Sequence, residues 1–186
     1  MQIVPLPPPT ELEKLLSGLL MRNVKVAKTP GVAPAQPCTV ALFKTEDPVL
    51  EVAVVCDVPL AASLAAALSV VPAGAVKDAV AAGTLDDSLR DNFAEVMNVL
   101  ARFLSTGSGR RFALNRVLCP PDPVEAAVLA AAEGSDERRE LAADVPGYSA
   151  ELVSEIARWP RRAVAVVGVL PAIGEWREAF AAAGGT

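Results

Sequence analysis

The sequence predicts an α+β domain in which a mixed β-sheet is flanked by helices. Short apolar runs rich in valine indicate strands, and longer runs with an apolar period of three to four residues indicate amphipathic helices. Their order is one helix, three strands, three helices and a further strand. At 186 residues the chain fits one domain, and its composition, 52% apolar with only 4% aromatic, predicts a core of small aliphatic side chains.

The first half of the chain contains clear helix and strand signals. Thr10 is a good N-cap with Glu13 three residues later, which predicts a helix to about residue 21. Three strands follow, at residues 23–29, 38–44 and 49–56. We expect them to form a meander, with a hairpin between the last two. Asp57 is a candidate cap for a second helix, and a short third helix ends at Gly83.

The second half begins with the longest amphipathic run, at residues 86–105, and a strand at residues 111–119. Beyond it the patterns predict helices at 122–133, 148–159 and 175–183, a buried strand at 163–170, and either strand or helix at 137–145. We expect the sheet to contain the three early strands, 111–119 and 163–170. No strong internal repeat and no long linker is visible, so residues 10–186 are predicted to be a single domain behind a Pro-rich segment at residues 1–9.

The composition excludes several kinds of site. The chain contains no histidine, so no Ser-His-Asp or Cys-His pair, no zincin site and no phosphohistidine relay is possible. A net charge of −5 without a basic stripe disfavours nucleic-acid binding. The cysteines Cys38, Cys56 and Cys119 lie far apart without CxxC spacing, which indicates reduced core thiols, a reactive thiol being the alternative. No cofactor of its own is expected.

Membrane association is not predicted. The N-terminus lacks the basic and long apolar regions of a signal peptide. Residues 58–76 carry no charge, but Pro59, Pro72 and Gly74 interrupt them, which favours a buried helix over a membrane span. The expected location is therefore the cytoplasm.

Two stripes divide the long amphipathic run. The apolar stripe, expected to face the core, contains Leu89, Phe93, Val96, Met97, Leu100, Phe103 and Leu104. Polar side chains at spacings of four, three and four residues form the other, namely Asp91, Glu95, Asn98 and Arg102. Most polar stripes are solvated helix faces. However, Asp91 and Glu95 are like charges one turn apart, and Asn98 is a poor helix former, so each has a small cost that a solvated face does not require.

Asp91, Glu95 and Asn98, in the order Asp-x3-Glu-x2-Asn, resemble the signature helix of the CheC/CheX/FliY family of chemotaxis phosphatases. The order of elements over residues 10–119 is also similar to that of CheX, whereas residues 120–186 are divergent. The resemblance implies a CheC/CheX-like fold with one signature helix. Family members usually carry a small residue where Arg102 stands, so Arg102 could obstruct a partner, pair with a neighbouring acid or hold a phosphoryl group.

The family resemblance implies a function that needs no histidine. Such proteins hydrolyse the aspartyl phosphate of a response-regulator receiver domain, whose Mg²⁺ belongs to the receiver. On this resemblance Asn98 positions the attacking water, Glu95 pairs with a receiver lysine, and Asp91 and Arg102 support them. The alternative is a non-catalytic binding or scaffold module in the same signalling system. The resemblance also implies a homodimer that forms through strand edges.

Overall fold

The computed structural model describes residues 8–28, 37–45, 51–122, 138–148 and 163–170. The helices are α1 (Pro9–Leu20), α2 (Val58–Leu68), α3 (Ala73–Ala82) and α4 (Asp87–Ser108). The strands are β1 (Lys25–Lys28), β2 (Cys38–Thr45), β3 (Glu51–Asp57), β4 (Phe112–Leu118), β5 (Arg138–Asp144) and β6 (Ala163–Leu170). The α+β class is confirmed. The helices predicted at 122–133 and 175–183, and nearly all of that at 148–159, lie outside the described residues.

In the described residues, six strands form one sheet in the order β1-β5-β6-β3-β2-β4. All five described pairings are antiparallel, so the prediction of a mixed sheet is wrong in this respect. The patterns that predict strands carry no information about the direction in which neighbouring strands run, so they could not distinguish an antiparallel sheet from a mixed one. The ambiguous run at 137–145 is a strand, which the predicted sheet lacked.

The predicted meander is wrong for β1. The hairpin of β2 and β3 is confirmed, with Cys38 opposite Asp57 and Lys44 opposite Glu51. The short strand β1 instead lies at the far edge of the sheet, where Lys25 is opposite Asp144. Local sequence favours pairing between consecutive strands, but β1 is separated from β2 by the whole of β5, β6 and β3.

Side-chain caps fix the start of the two helices that matter most for the site. The Asp57 carboxylate accepts a hydrogen bond from Leu60 N at 2.9 Å, and the Asp86 carboxylate accepts one from Leu89 N at 2.8 Å. Glycines in the left-handed conformation follow α3 and α4, at Gly83 and Gly109. These ends agree with the predicted helix boundaries, because capping requires the residue types that the sequence displays there. The predicted N-cap Thr10 is wrong, because α1 begins at Pro9 behind Pro8 without a side-chain cap, and the Glu13 carboxylate bonds to Val26 N of β1 instead.

Helices α1, α2 and α4 lie on one face of the sheet, and α2 is buried in the middle of the layer. The strand residues beneath them are Ala41, Phe43, Val52, Val54 and Cys56. Residues of opposite orientation in the same strands are also buried, with Val40, Leu42, Ala53 and Val55 only 0–3% exposed. The centre of the sheet is therefore shielded from solvent on both faces.

The topology contains an internal two-fold repeat that the sequence analysis did not detect. Exchanging β1 with β4, β2 with β5 and β3 with β6 leaves the strand order unchanged when it is read from the other edge. Helix α1 precedes β1 as α4 precedes β4, and both helices end in a left-handed residue, Met21 and Gly109. Aligning these two residues places Leu16 on Leu104 and Lys14 on Arg102. The repeat is one of topology and core positions, with little identity elsewhere.

None of the three cysteines forms a disulfide and all three are buried, as predicted. Burial raises the pKa of the Cys56 thiol well above its ordinary value, and the negative charge of Asp57 raises it further. Within the described ranges, no group of His, Cys, Asp or Glu side chains is arranged to hold a metal ion. In the same ranges, no helix is both long and apolar enough to cross a membrane.

Candidate functional site

The two stripes predicted on the long helix are confirmed along α4. The apolar stripe packs against α2 and β4, with Phe93 fully buried and Leu89 and Val96 only 1% exposed. The polar stripe is exposed along its length, at Asp91, Glu95, Asn98 and Arg102. At about 1.5 Å per residue, it extends roughly 16 Å along the helix surface.

Glu95 and Asn98 lie one turn apart and touch each other. Asn98 Nδ2 donates a hydrogen bond to Glu95 Oε2 at 3.4 Å, which is long for such a bond and therefore weak. Neither side chain has another partner in the described part of the chain. A weak bond between two exposed groups keeps them close together and leaves both able to bind a partner molecule.

Helix α4 is held on both flanks of the polar stripe. On one flank, Ser69 Oγ at the end of α2 donates to Asn92 Oδ1 at 2.8 Å. On the other, Arg90 Nη2 forms an ion pair with Asp122 Oδ2 at 2.7 Å and donates to Cys119 O at 3.2 Å. Because Arg90 and Asn92 are the neighbours of Asp91, these contacts fix the rotation of the helix at the start of the stripe.

Asp91 and Arg102 stand at the two ends of the polar stripe. Within the described residues, Arg102 forms no ion pair with Asp91 or Glu95, so pairing with a neighbouring acid is not found. The Arg102 side chain projects into solvent one turn beyond Asn98. Asp91 lies one turn before Glu95, and its charge adds to that of Glu95 at the acidic end of the stripe.

Sequence reasoning missed the residues that fix α4. Arg90 and Asn92 are polar residues of α4 between the two stripes, and Ser69 is a polar residue at the end of α2, all positions that sequence patterns do not distinguish from ordinary solvated ones. The positions of Arg90 and Asn92 on opposite sides of Asp91 are only a weak indication that these residues hold the helix in place. Their partners could not be found from the sequence, because they lie 23 and 32 residues away.

The internal repeat shows why α1 does not carry a second copy of the polar stripe of α4. Helix α1 has 12 residues and α4 has 22, so α1 lacks the first turns that carry Asp91 and Glu95 in α4. With Met21 aligned on Gly109, Thr10 takes the place of Asn98. The position of Glu95 falls before α1 begins.

Comparisons with known proteins place the fold. No protein-family model and no curated protein matches this sequence. A chain of the FliM–SpeE complex from H. pylori has a TM-score of 0.58 and 8% identity, covering 94% of this chain and 88% of that chain. The FliM middle domain from Vibrio alginolyticus has a TM-score of 0.54 and 9% identity, covering 91% of this chain and 93% of that chain.

A chain of the CheX–CheY–BeF3–Mg complex from Borrelia burgdorferi is also similar, covering 84% of this chain and 91% of that chain at 12% identity. Its TM-score of 0.48 is too low to carry weight. At identities this low, the FliM likenesses establish the fold and nothing about activity. They extend well past residue 119, in agreement with the place of β5 and β6 in the sheet. The chain therefore has the fold that the FliM middle domain shares with the CheC/CheX proteins, as the motif on α4 predicted.

Proposed function

We propose that this chain is a CheX-like phosphatase that hydrolyses the aspartyl phosphate of a response-regulator receiver domain. The observation that carries the proposal is the exposed pair of Glu95 and Asn98, in contact on one face of α4. A phosphatase of this kind must insert both side chains into the active site of another protein. Exposure, proximity and freedom from other partners are what such insertion requires.

Each polar residue of the pair has a role that suits its chemistry. The Asn98 amide can donate and accept hydrogen bonds, so it holds a water in line with the phosphorus–oxygen bond that breaks. The Glu95 carboxylate pairs with a lysine of the receiver, and Asp91 adds negative charge behind it. The Mg²⁺ that neutralises the phosphoryl oxygens belongs to the receiver. Phosphoryl transfer depends mainly on positioning and electrostatics, so no histidine or nucleophile of this chain is needed.

The fixation of α4 supports this role. A water-positioning amide is effective only if its own backbone is held in place, because small misplacements weaken catalysis strongly. The contacts of Arg90 and Asn92 hold the helix on both flanks of the site without using Glu95 or Asn98. The side chains of Glu95 and Asn98 are therefore free to bind a partner, whereas the helix that carries them is fixed in place.

The test is the rate of phosphoryl loss from receiver domains of the source organism, phosphorylated in the presence of Mg²⁺. We expect the protein to accelerate this loss, and Asn98→Ala to remove most of the acceleration, on the order of 10²-fold by comparison with other preorganised catalytic hydrogen bonds. Asn23→Ala, the same change at an exposed position far from α4, is the matched control. An Asn98→Ala variant as active as wild type would disprove the catalytic role of this amide.

Substitution of Glu95 tests whether docking and catalysis depend on different residues. Glu95→Ala should raise the receiver concentration needed for half-maximal rate, because a charge that pairs across an interface has been removed. The rate at saturating receiver should fall much less than in Asn98→Ala. Equal losses in both parameters for the two variants would contradict this division of roles.

A second candidate function is a non-catalytic scaffold. It is favoured by the TM-scores of the FliM structures, one of them solved as a FliM–SpeE complex and another, at 0.50, as a FliG–FliM complex. A scaffold would bind a receiver or another signalling protein without accelerating phosphoryl loss. Binding to a receiver without faster phosphoryl loss would favour the scaffold function over the phosphatase function. Binding to no receiver would exclude the receiver as the partner for both functions.

A further inference from the structure

The second half of α4 and the strand after it carry only positive charge. Between Glu95 and Asp122 the sequence contains no acidic residue, although the chain as a whole has a net charge of −5. The same stretch contains four arginines, at Arg102, Arg110, Arg111 and Arg116. Helix α4 and β4 pack together at one edge of the sheet, so these charges lie on one structural unit.

Arg102 and Arg111 are the two members of this group that are free to bind. Both are exposed, and in the described residues neither forms an ion pair. Ser105 links their positions, because its hydroxyl accepts a hydrogen bond from Phe112 N at 2.8 Å and so ties the start of β4 to the last turns of α4. Arg111 directly precedes Phe112, and Arg102 lies one turn before Ser105.

Other described arginines are already engaged. Arg90 pairs with Asp122 at 2.7 Å. The Arg22 guanidinium lies 4.9 Å from the ring centroid of Tyr148 and donates to Pro146 O at 3.1 Å. Compared with these, Arg102 and Arg111 form no ion pair in the described residues that would account for two exposed cations near the C-terminal end of α4.

We infer that Arg102 and Arg111 form an anion-binding surface next to Asn98, and that its occupant is the acidic surface of a partner protein. This inference rests on the proposed function, in which α4 enters a receiver domain, and it adds the direction of docking. Glu95 and Arg102 are about 10 Å apart along the helix axis. A partner must therefore present a cation to one and an acidic group to the other, and only one orientation satisfies both.

A folded protein fits this surface better than a nucleic acid does. Asp87, Asp91 and Glu95 lie on the same exposed side of α4, within about four turns of Arg102. A continuous phosphate backbone that reached the arginines would pass close to these carboxylates and be repelled by them. A protein surface can instead alternate its charges to match both ends of the helix.

Charge reversal tests the docking role. With a receiver domain activated by beryllofluoride and Mg²⁺, we expect the Arg102→Glu/Arg111→Glu double variant to associate at least about tenfold more slowly than wild type at low salt. The difference should shrink as ionic strength rises, because exposed charges are screened. Lys14→Glu is the matched control, since Lys14 is exposed and occupies the position of Arg102 in the other half of the repeat. Unchanged association in the double variant would overturn the inference.

A second experiment does not depend on any receiver or on phosphatase activity. Nε–Hε signals of the arginine side chains would be followed by NMR while an oligo-glutamate peptide, or an oligo-thymidine strand as comparison, is added. We expect oligo-glutamate to shift the signals of Arg102 and Arg111 and to leave that of Arg90, which Asp122 holds. No shift with either probe, or equal or tighter binding of oligo-thymidine, would overturn the assignment to an acidic protein, even if the phosphatase proposal holds.

Discussion

Met21 and Val70 occupy a backbone conformation that glycine usually fills. Their φ angles are 51° and 54°; Met21 directly follows the end of α1, and Val70 lies two residues after the end of α2. In both cases the next residue donates its N–H back into the helix, Arg22 N to Ser17 O at 3.2 Å and Val71 N to Ala66 O at 2.9 Å. These bonds define Schellman caps, in which the left-handed residue is a source of strain unless it is glycine.

Val70→Gly should therefore stabilise the protein. The left-handed conformation costs an L-residue roughly 1–2 kcal/mol, and glycine loses about 0.5–1 kcal/mol more entropy on folding. The Val70 side chain is 73% exposed, so its removal forfeits little burial. We expect a gain of about 0.5–1 kcal/mol in the free energy of unfolding by urea denaturation.

Val70→Ala is the control for this prediction, because it shortens the side chain but keeps the Cβ that causes the strain. A Val70→Gly variant no more stable than Val70→Ala would show that the conformation is not strained.

The contribution of Glu13 to the stability of the fold depends on pH. Its carboxylate accepts a hydrogen bond from Val26 N at 2.9 Å and another from Lys25 Nζ at 3.2 Å. The backbone bond first, and then the lysine, lower the pKa of Glu13 below its ordinary value of 4.5. The contribution of Glu13 to stability is therefore complete above pH 4.5 and is lost as the pH falls through the lowered pKa.

Glu13→Gln tests this contribution. The free energy of unfolding of wild type should exceed that of the variant at pH 7, and the difference should shrink below the ordinary pKa of 4.5. Urea denaturation at several pH values measures the difference. Glu11→Gln, on the exposed side of the same helix, controls for the loss of a negative charge. A difference that stays constant down to pH 3 would contradict the role of the charge.

Among the elements, helices were predicted best, because single capping residues indicate where most of them begin or end. Asp57, Asp86, Gly83 and Gly109 each do at a helix end what the residue type is suited to do. The polar stripe of α4 was also predictable, because helical spacing alone places its four residues on one side. Nothing in that spacing shows whether the stripe binds a partner.

Strand neighbours could not be predicted in the same way. The run at 137–145 is compatible with strand or helix, and its assignment to β5 depends on pairing with two other strands, β1 and β6. In β4 a bulge changes which residues face the helices: Phe43 is opposite Leu114, but Leu42 is opposite Arg116. Asn115 is the extra residue, and no turn signal or glycine marks it.

At the scale of the whole molecule, the two halves of the repeat share one arrangement of helix and strands, but their equivalent helices have different roles. Core positions of the two equivalent helices correspond, as Leu16 and Leu104 show, because both must cover the same kind of sheet edge. The additional turns of α4 carry the Glu95 and Asn98 constellation, and α1 instead fixes an edge strand through Glu13. Sequence comparison between the halves fails because packing constrains only a few apolar positions.

The sheet edges bear on the predicted homodimer, which stays a prediction. The strands at the two edges are β1 and β4, while the most apolar strands lie inside the sheet. Strand β1 has only four residues, and Glu13 occupies its outward N–H at Val26. Strand β4 has seven, with Ala113 and Asn115 exposed, so it is the better edge for pairing with a second copy.

A homodimer through β4 would have an unusual salt dependence. Symmetric pairing joins two copies of β4, a strand that carries Arg116, follows Arg111 and contains no acidic residue, so like charges meet across the dimer and are screened by salt. We therefore expect the dimer fraction, measured by sedimentation velocity, to rise with ionic strength, whereas binding of an acidic partner should weaken. Ala113→Lys should lower the dimer fraction, and Ala27→Lys, at an exposed position of β1, should not. A monomer at all concentrations and salts would contradict the dimer, and sensitivity to Ala27→Lys alone would place the interface at β1.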